Sequence, residues 1–259
     1  MTPEQEARVV IDKKLEQSGW VIQNFAQVNI GAALGVAVRE YPTDTGPVDY
    51  ALFIDGEPVG VIEAKKSSIG ENITVVEEQS ARYATSSFKW INREYTIRFA
   101  YEATDQLIKF TDYKDIKYRS RRVFSFHRPK YLESLLQAMD TIRNNMKHFP
   151  ALDTTGFRDC QINAINNMDV SFADNRPRAL VQMATGAGKT FTAITEAYRL
   201  LKYGKMNRIL FLVDTKSLGE QAEREFLAYT PNDDTRSFSQ LYGVRRLKNS
   251  YIPNDVQIC

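Results

Sequence analysis

Three charged side chains lie on two neighbouring strand-like segments of the sequence. Asp49 is on the first segment, and Glu63 and Lys65 are on the second, with Asp55-Gly56 between them. An Asp-Gly pair between two apolar runs predicts a tight β-hairpin. Because side chains alternate along a strand, Glu63 and Lys65 share a face, and the hairpin can bring Asp49 to the same end of the sheet.

Two carboxylates and one ammonium group are suited to metal-assisted hydrolysis of a phosphodiester. Carboxylate oxygens are good ligands for Mg²⁺, so we predict that Asp49 and Glu63 hold this ion. The ion would polarise the phosphate and activate a water molecule, which Lys65 would orient. The alternative is a chance spacing in a chain with 25% charged residues, in which Asp49 is a turn residue.

A second motif predicts a phosphate-binding loop for ATP, and its sequence is Ala184-Thr185-Gly186-Ala187-Gly188-Lys189-Thr190. It follows the apolar segment 179–183, a predicted buried strand, and precedes a predicted helix, which is the context that such a loop needs. Loop N–H groups and the helix N-terminus would surround the phosphates. Lys189 would contact the β- and γ-phosphates, and Thr190 would ligate the associated Mg²⁺. The alternative is an ordinary Gly-rich turn.

The remaining pattern predicts an α/β protein of two domains. Phe149-Pro150-Ala151 breaks the helical pattern before it, so we place a boundary there, with domains at 1–150 and 151–259. Alternating strands and helices in the second domain predict a parallel sheet. The predicted helices are 2–18, 131–147, 161 onward, 189–201 and 217–229, and the further predicted strands are 21–22, 95–103, 106–111 and 209–213.

Composition excludes several classes of protein. The chain has 259 residues, 43% of them hydrophobic, and a net charge of +2, which excludes a disordered chain and a bulk polycation. Cys160 and Cys259 are too far apart in sequence to suggest a zinc site or a disulfide framework. The polar N-terminus and the shortness of the apolar run 209–213 argue against a signal peptide and a membrane span, so we expect a cytoplasmic protein.

One segment is locally basic. Residues 109–130 contain eight Lys and Arg residues against two Asp residues. Such a segment can contact a DNA backbone, because phosphate neutralisation dominates the affinity for DNA. A solvated charged surface is the open alternative.

The pattern Asp49-x13-Glu63-x-Lys65 resembles the PD-(D/E)xK nuclease superfamily, although Val48 separates the leading Pro47 from Asp49. Gln79 and Tyr83 match the Q-x-x-x-Y element of one branch of that superfamily. The resemblance implies a mixed sheet flanked by helices, with Gln79 and Tyr83 organising the nuclease site or the DNA.

The phosphate-binding loop is similar to motif I of superfamily 2 helicases and translocases, with Met183 where the strict Walker form has Gly. Gln161 lies in a segment that resembles the upstream element whose glutamine reads adenine; a helix-start glutamine is the alternative. The resemblance implies part of a RecA-like parallel α/β motor domain. No Asp-Glu-x-His motif follows in this sequence. We therefore expect this chain alone to bind nucleotide with little hydrolysis.

A nuclease followed by such a motor resembles the restriction (R) subunit of type I restriction-modification enzymes. The resemblance implies an ATP-dependent endonuclease that translocates duplex DNA and assembles with methyltransferase (M) and specificity (S) subunits. One alternative is a superfamily 2 DNA helicase or remodeller whose N-terminal module binds DNA without cutting it. Another is a nucleotide-binding switch that does no work on DNA.

Overall fold

The computed structural model describes residues 3–44, 46–65, 97–249, 251–253 and 255–259. Two compact units divide the chain, Met1–Thr141 and Ile142–Cys259. Gln79 and Tyr83 lie outside the described residues.

The first unit is a seven-stranded mixed sheet with helices, in the α/β class. The strands lie in sequence order; β1 pairs parallel with β2 and β4 with β5, and the other neighbours are antiparallel. Its elements are helix α1 (Pro3–Gln17), strands β1 (Val21–Asn24), β2 (Gly35–Thr43), β3 (Gly46–Ile54), β4 (Glu57–Ala64), β5 (Phe99–Ala103), β6 (Ile108–Asp112) and β7 (Arg121–Val123), a 3-10 turn (Phe25–Gln27), and helix α2 (Pro129–Gln137).

The predicted hairpin is present. β3 and β4 pair antiparallel across Asp55-Gly56, and both turn residues have positive φ, 50° and 78°. Positive φ at both central positions gives the turn a twist that matches the twist of the strands. A register shift between Leu52 and Phe53 then aligns Tyr50 with Ile62, which brings Asp49 level with Glu63.

Two apolar clusters cover the two faces of this sheet. Ile11 and Leu15 of α1 pack on one face with Tyr50 and Leu52, and the other face includes Val61. The alternation of burial along β4 places Glu63 on the face opposite α1, whereas the Asp49 carboxylate contacts Arg8 of α1. Sequence periodicity predicts α1 and its end near Gly19, which has a φ of +86°.

The second unit is mostly helical in the described residues. Ile194 and Leu201 of the helix that follows the phosphate loop pack against Phe226 and Phe238. The elements of this unit are α3 (Ile142–Asn145), a 3-10 turn (Met146–His148), α4 (Asp159–Ala173), α5 (Lys189–Lys202), α6 (Lys216–Ala228) and α7 (Phe238–Leu241).

Three predicted elements are wrong. The helix predicted at 131–147 is interrupted, because Ala138 ends α2 in an extended conformation with ψ of 135°. The segment 179–183, which the structure describes, forms no strand, and Leu180 is 96% exposed. A buried strand needs a neighbouring strand for its N–H and C=O groups, and none of the described strands pairs with 179–183. The 209–213 segment forms only an isolated parallel bridge from Ile209 to Ile258.

Candidate functional site

The hairpin register brings Asp49 and Glu63 together. Tyr50 pairs with Ile62, and Asp49 and Glu63 are the residues next to this pair at the open end of the hairpin. The Ala64 N–H donates to Asp49 Oδ2 over 2.8 Å, which fixes that carboxylate against β4. Lys65 Nζ lies 3.6 Å from Glu63 Oε2. All three described members of the predicted nuclease site therefore lie at one end of the sheet.

The electrostatics of Glu63 are those of a crowded, buried acid. Glu63 is 8% exposed, and its Oε1 has no hydrogen-bond partner among the described residues. Burial, followed by the nearby charge of Asp49, raises the pKa of Glu63 to about 7, although Lys65 opposes the rise. A positive charge at this position would relieve both effects.

The donor set fits a divalent cation such as Mg²⁺. Glu63 Oε1 is a buried oxygen that lacks a partner among the described residues, and Asp49 supplies a second carboxylate beside it. The described residues contain no group of three or more acidic, His or Cys side chains that could hold a metal. Mg²⁺ in proteins is often held by one or two carboxylates and retains several waters, so two carboxylates suffice.

Arg8 is a member of this site that the sequence analysis missed. It lies on α1, and its Nη2 donates to Asp49 Oδ1 over 2.5 Å while its Nη1 donates to Glu40 over 2.8 Å. Arg8, Asp49 and Arg39 line a cavity of 480 Å³. No local pattern marks Arg8, because 41 residues separate it from Asp49.

Glu102 is a second residue that was missed. It pairs directly with Glu63 in the parallel β4–β5 ladder, so both side chains point to the same face, and it is 3% exposed. The one signal in the sequence is a charge inside the apolar strand Phe99–Ala103.

The phosphate-binding loop has the backbone that its glycines predict. Gly186 and Gly188 have φ of 78° and 87°, and α5 begins at Lys189 with Gly188 as its N-cap. Lys189 Nζ donates to the carbonyl of Ala184 over 3.1 Å, so the side chain folds back over the loop. The N–H groups in the first turn of α5 have no partner four residues earlier in the helix, which is the usual property of an anion site. Thr185 is exposed, and Ala187 and Thr190 are half-buried in the same loop.

Gln161 lies against this loop and uses both ends of its amide. Its Nε2 donates to the Ala187 carbonyl over 3.0 Å, and its Oε1 accepts from the Arg158 N–H over 3.0 Å. A Cβ added to Gly188 would lie 2.3 Å from Gln161 Nε2. Gln161 therefore connects the start of α4 to the loop, and an adenine contact would require one of these bonds to change.

Two family models match the chain. Residues 31–139 match the model described as "Type I restriction enzyme EcoKI endonuclease subunit second domain", and residues 154–256 match "Type III restriction enzyme, res subunit". The EcoKI endonuclease subunit of Escherichia coli (strain K12) is 27% identical over 98% of this chain and 26% of its own length. These matches support a fragment of a type I restriction enzyme R subunit.

Another relative is also named as a type I restriction enzyme endonuclease subunit. The type I restriction enzyme SauCOLORF180P endonuclease subunit of Staphylococcus aureus (strain COL) is 23% identical over 92% of the chain and 26% of the relative. The segment spans about a quarter of the length of these curated relatives, 26% in both cases.

A solved structure is also similar in sequence to the segment. It is a fragment of a proposed HsdR subunit of a type I restriction enzyme from Vibrio vulnificus YJ016, 23% identical, covering 82% of this chain and 41% of that chain, with a TM-score of 0.35. None of the described helices of this chain is long and apolar enough to cross a bilayer.

Proposed function

We propose that this segment supplies the DNA-cleaving site and part of the ATP site of a type I restriction endonuclease. Residues 1–150 would form a PD-(D/E)xK nuclease domain, and residues 151–259 would be the first part of a RecA-like motor domain. The full-length subunit would use ATP to translocate duplex DNA and would act in a complex with M and S subunits. The convergence of Asp49, Glu63 and Lys65 at one sheet end carries this proposal.

The nuclease step would use Asp49, Glu63 and Lys65. Asp49 and Glu63 would hold Mg²⁺, which when bound polarises a phosphate and lowers the pKa of a water molecule. Lys65 is positioned by Glu63 at 3.6 Å and can orient the attacking water toward phosphorus. Its ammonium group also offsets the negative charge that develops on the phosphate oxygens. Gln79 and Tyr83 would organise this site or the DNA.

The nucleotide step uses the loop before α5. The N–H groups of Thr185, Gly186, Ala187 and Gly188 would surround the phosphates of ATP. Lys189 would leave its loop carbonyls for the β- and γ-phosphates, and the Thr190 hydroxyl would ligate the associated Mg²⁺. Gln161 would read adenine from the start of α4.

Plasmid cleavage tests the nuclease proposal. Supercoiled DNA is incubated with the chain in Mg²⁺ or Mn²⁺, beside the variants Asp49→Ala and Lys65→Ala and the control Lys13→Ala, which changes an exposed charge on α1. We expect nicked or linear DNA from wild type and the control alone. Equal cleavage by Asp49→Ala would contradict the site.

A second assay applies if the chain cuts DNA only as part of its assembly. If wild type alone leaves the plasmid intact, the same substitutions are made in a full R subunit reconstituted with M and S subunits and ATP. Loss of cleavage in Asp49→Ala supports the nuclease site. Full cleavage by that variant would instead favour a motor with a non-catalytic DNA-binding module.

A further inference from the structure

Five charged residues form a continuous row across the first sheet. Glu63 pairs with Glu102, Glu102 with Lys109, and Lys109 with Arg122 in successive ladders, and on the other side of Glu63 the Asp49 carboxylate accepts the Ala64 N–H of β4. Directly paired residues point to the same face of a sheet. We call Asp49, Glu63, Glu102, Lys109 and Arg122 the charged row.

The packing on the opposite face supports this assignment. Ile108 and Phe110, the neighbours of Lys109, belong to the cluster under α1, and Arg121 lies over the Phe110 ring at 5.5 Å. Side chains alternate along a strand, so Lys109 and Arg122 point away from that cluster. They are on the face that carries Glu63.

The two cations of the row differ from other basic groups of the segment 109–130. Arg121 is paired with Asp115 over 3.1 Å, and Lys114 Nζ donates to the Ala138 carbonyl over 3.0 Å. Lys109 is half-buried and Arg122 exposed, and within the described part of the chain neither side chain forms an ion pair or hydrogen bond. Their charge remains available to an external anion.

We propose that Lys109 and Arg122 bind the backbone phosphates of the duplex that enters the metal site. This proposal rests on the proposed nuclease function. Strands are about 4.8 Å apart, so these residues lie about 10 and 14 Å from β4 along the row. A duplex that lies along the row would bring phosphates of its backbone against both cations. The acidic residues of the row repel the DNA phosphates. Lys109 and Arg122, as positioning residues, attract them.

Salt-dependent binding tests the inference. The affinity of the chain for a short fluorescein-labelled duplex is measured by anisotropy over a series of KCl concentrations in Ca²⁺. Each phosphate contact contributes about 0.9 to the slope of log K against log salt, so we expect the double variant Lys109→Ala/Arg122→Ala to lower the slope by about 2. Lys13→Ala, which removes an exposed charge from α1, should keep the wild-type slope.

Two further variants separate a phosphate contact from a change in structure. Lys109→Arg/Arg122→Lys keeps both charges and should restore the wild-type slope. Arg122→Ala alone changes an exposed residue and should lower the slope by about 1. This single variant keeps the test possible if the double variant fails to fold. An unchanged slope in both alanine variants, or no measurable binding by wild type, would overturn the inference.

The plasmid assay distinguishes failure of the phosphate-contact proposal from failure of the nuclease proposal. Cleavage that depends on Asp49, with an unchanged salt slope in the alanine variants, would remove the phosphate contacts and keep the nuclease. A lowered slope together with equal cleavage by wild type and Asp49→Ala would keep the DNA surface and remove the nuclease site.

Discussion

Arg8 on α1 and Asp49 on β3 form an ion pair, with 2.5 Å between Nη2 and Oδ1. The other oxygen of Asp49 accepts the Ala64 N–H, so Oδ1 is the oxygen that a metal ion would most readily share. The guanidinium group thus neutralises the carboxylate at the place where a divalent cation would do so. Metal binding at Asp49 would have to displace this contact.

Replacing Arg8 should therefore tighten metal binding. Arg8→Gln removes a competing charge from a partly exposed pair, and we expect a roughly fivefold gain in Mn²⁺ affinity, equivalent to about 1 kcal/mol. Isothermal titration of the chain with Mn²⁺ measures it. Arg39→Gln is the matched control, because Arg39 is bound to Asp12 rather than to Asp49; an equal gain in both variants would mean that net charge, not the Arg8 contact, is responsible.

Gly188 should be intolerant of a side chain for a reason beyond its φ. Gly188→Ala places a methyl group 2.3 Å from Gln161 Nε2, so Gln161 must leave the loop. We expect binding of a fluorescent ATP analogue to weaken at least tenfold, about 1.4 kcal/mol. Gly156→Ala is the control. Gly156 has a similar positive φ, +78° against +87° for Gly188, but no atom lies within 4 Å of the added Cβ. Similar losses in the two variants would assign the effect to backbone strain alone.

Glu196 should make the second unit less stable in alkali. Both of its carboxylate oxygens lack hydrogen-bond partners among the described residues. Burial, followed by the charge of Asp169, raises the pKa of Glu196 from 4.5 to about 8. The folded state therefore holds this proton more tightly than the unfolded state. Its stabilising contribution is complete below about pH 4.5 and is lost as the pH rises to about 8.

Glu196→Gln should remove that loss. We expect the variant to unfold roughly 5–10 °C higher than wild type at pH 8 and at nearly the same temperature near pH 5. Differential scanning calorimetry at both pH values provides the comparison. Glu225→Gln on α6, whose carboxylate accepts a hydrogen bond from Gln221, should show no such pH-dependent gain. A constant difference between wild type and Glu196→Gln at all pH values would exclude the titration.

His127 should have the opposite pH dependence in the first unit. Its Nδ1 lies 2.7 Å from the Tyr101 hydroxyl, and its ring packs on Phe110 with 4.5 Å between centroids. Burial, followed by the charge of Arg121, lowers the pKa of His127 from 6.5 to about 4. The unfolded state takes up the proton first, so stability is lost as the pH falls from about 6.5 to about 4, by about 3 kcal/mol. A ring titration in the NMR spectrum with its midpoint near 6.5 would refute this.

The sequence by itself determined the local features of the site. An Asp-Gly turn between apolar runs requires a hairpin, and strand alternation puts Glu63 and Lys65 on one face, so the meeting of three predicted residues followed from short-range rules. The turn glycines of the phosphate loop and the helix after it are also local features. Their backbone angles and periodicity depend on residues that are adjacent in sequence.

Tertiary structure decided what depends on distant partners. Arg8 reaches Asp49 only because α1 packs on the sheet, and Glu102 lies beside Glu63 only through the parallel pairing of β4 with β5. The apolar segment 179–183 depends on distant partners too, and here the predicted strand does not form. Its composition suits a buried strand, but a strand exists only where neighbouring strands accept its hydrogen bonds, and no local pattern supplies those neighbours.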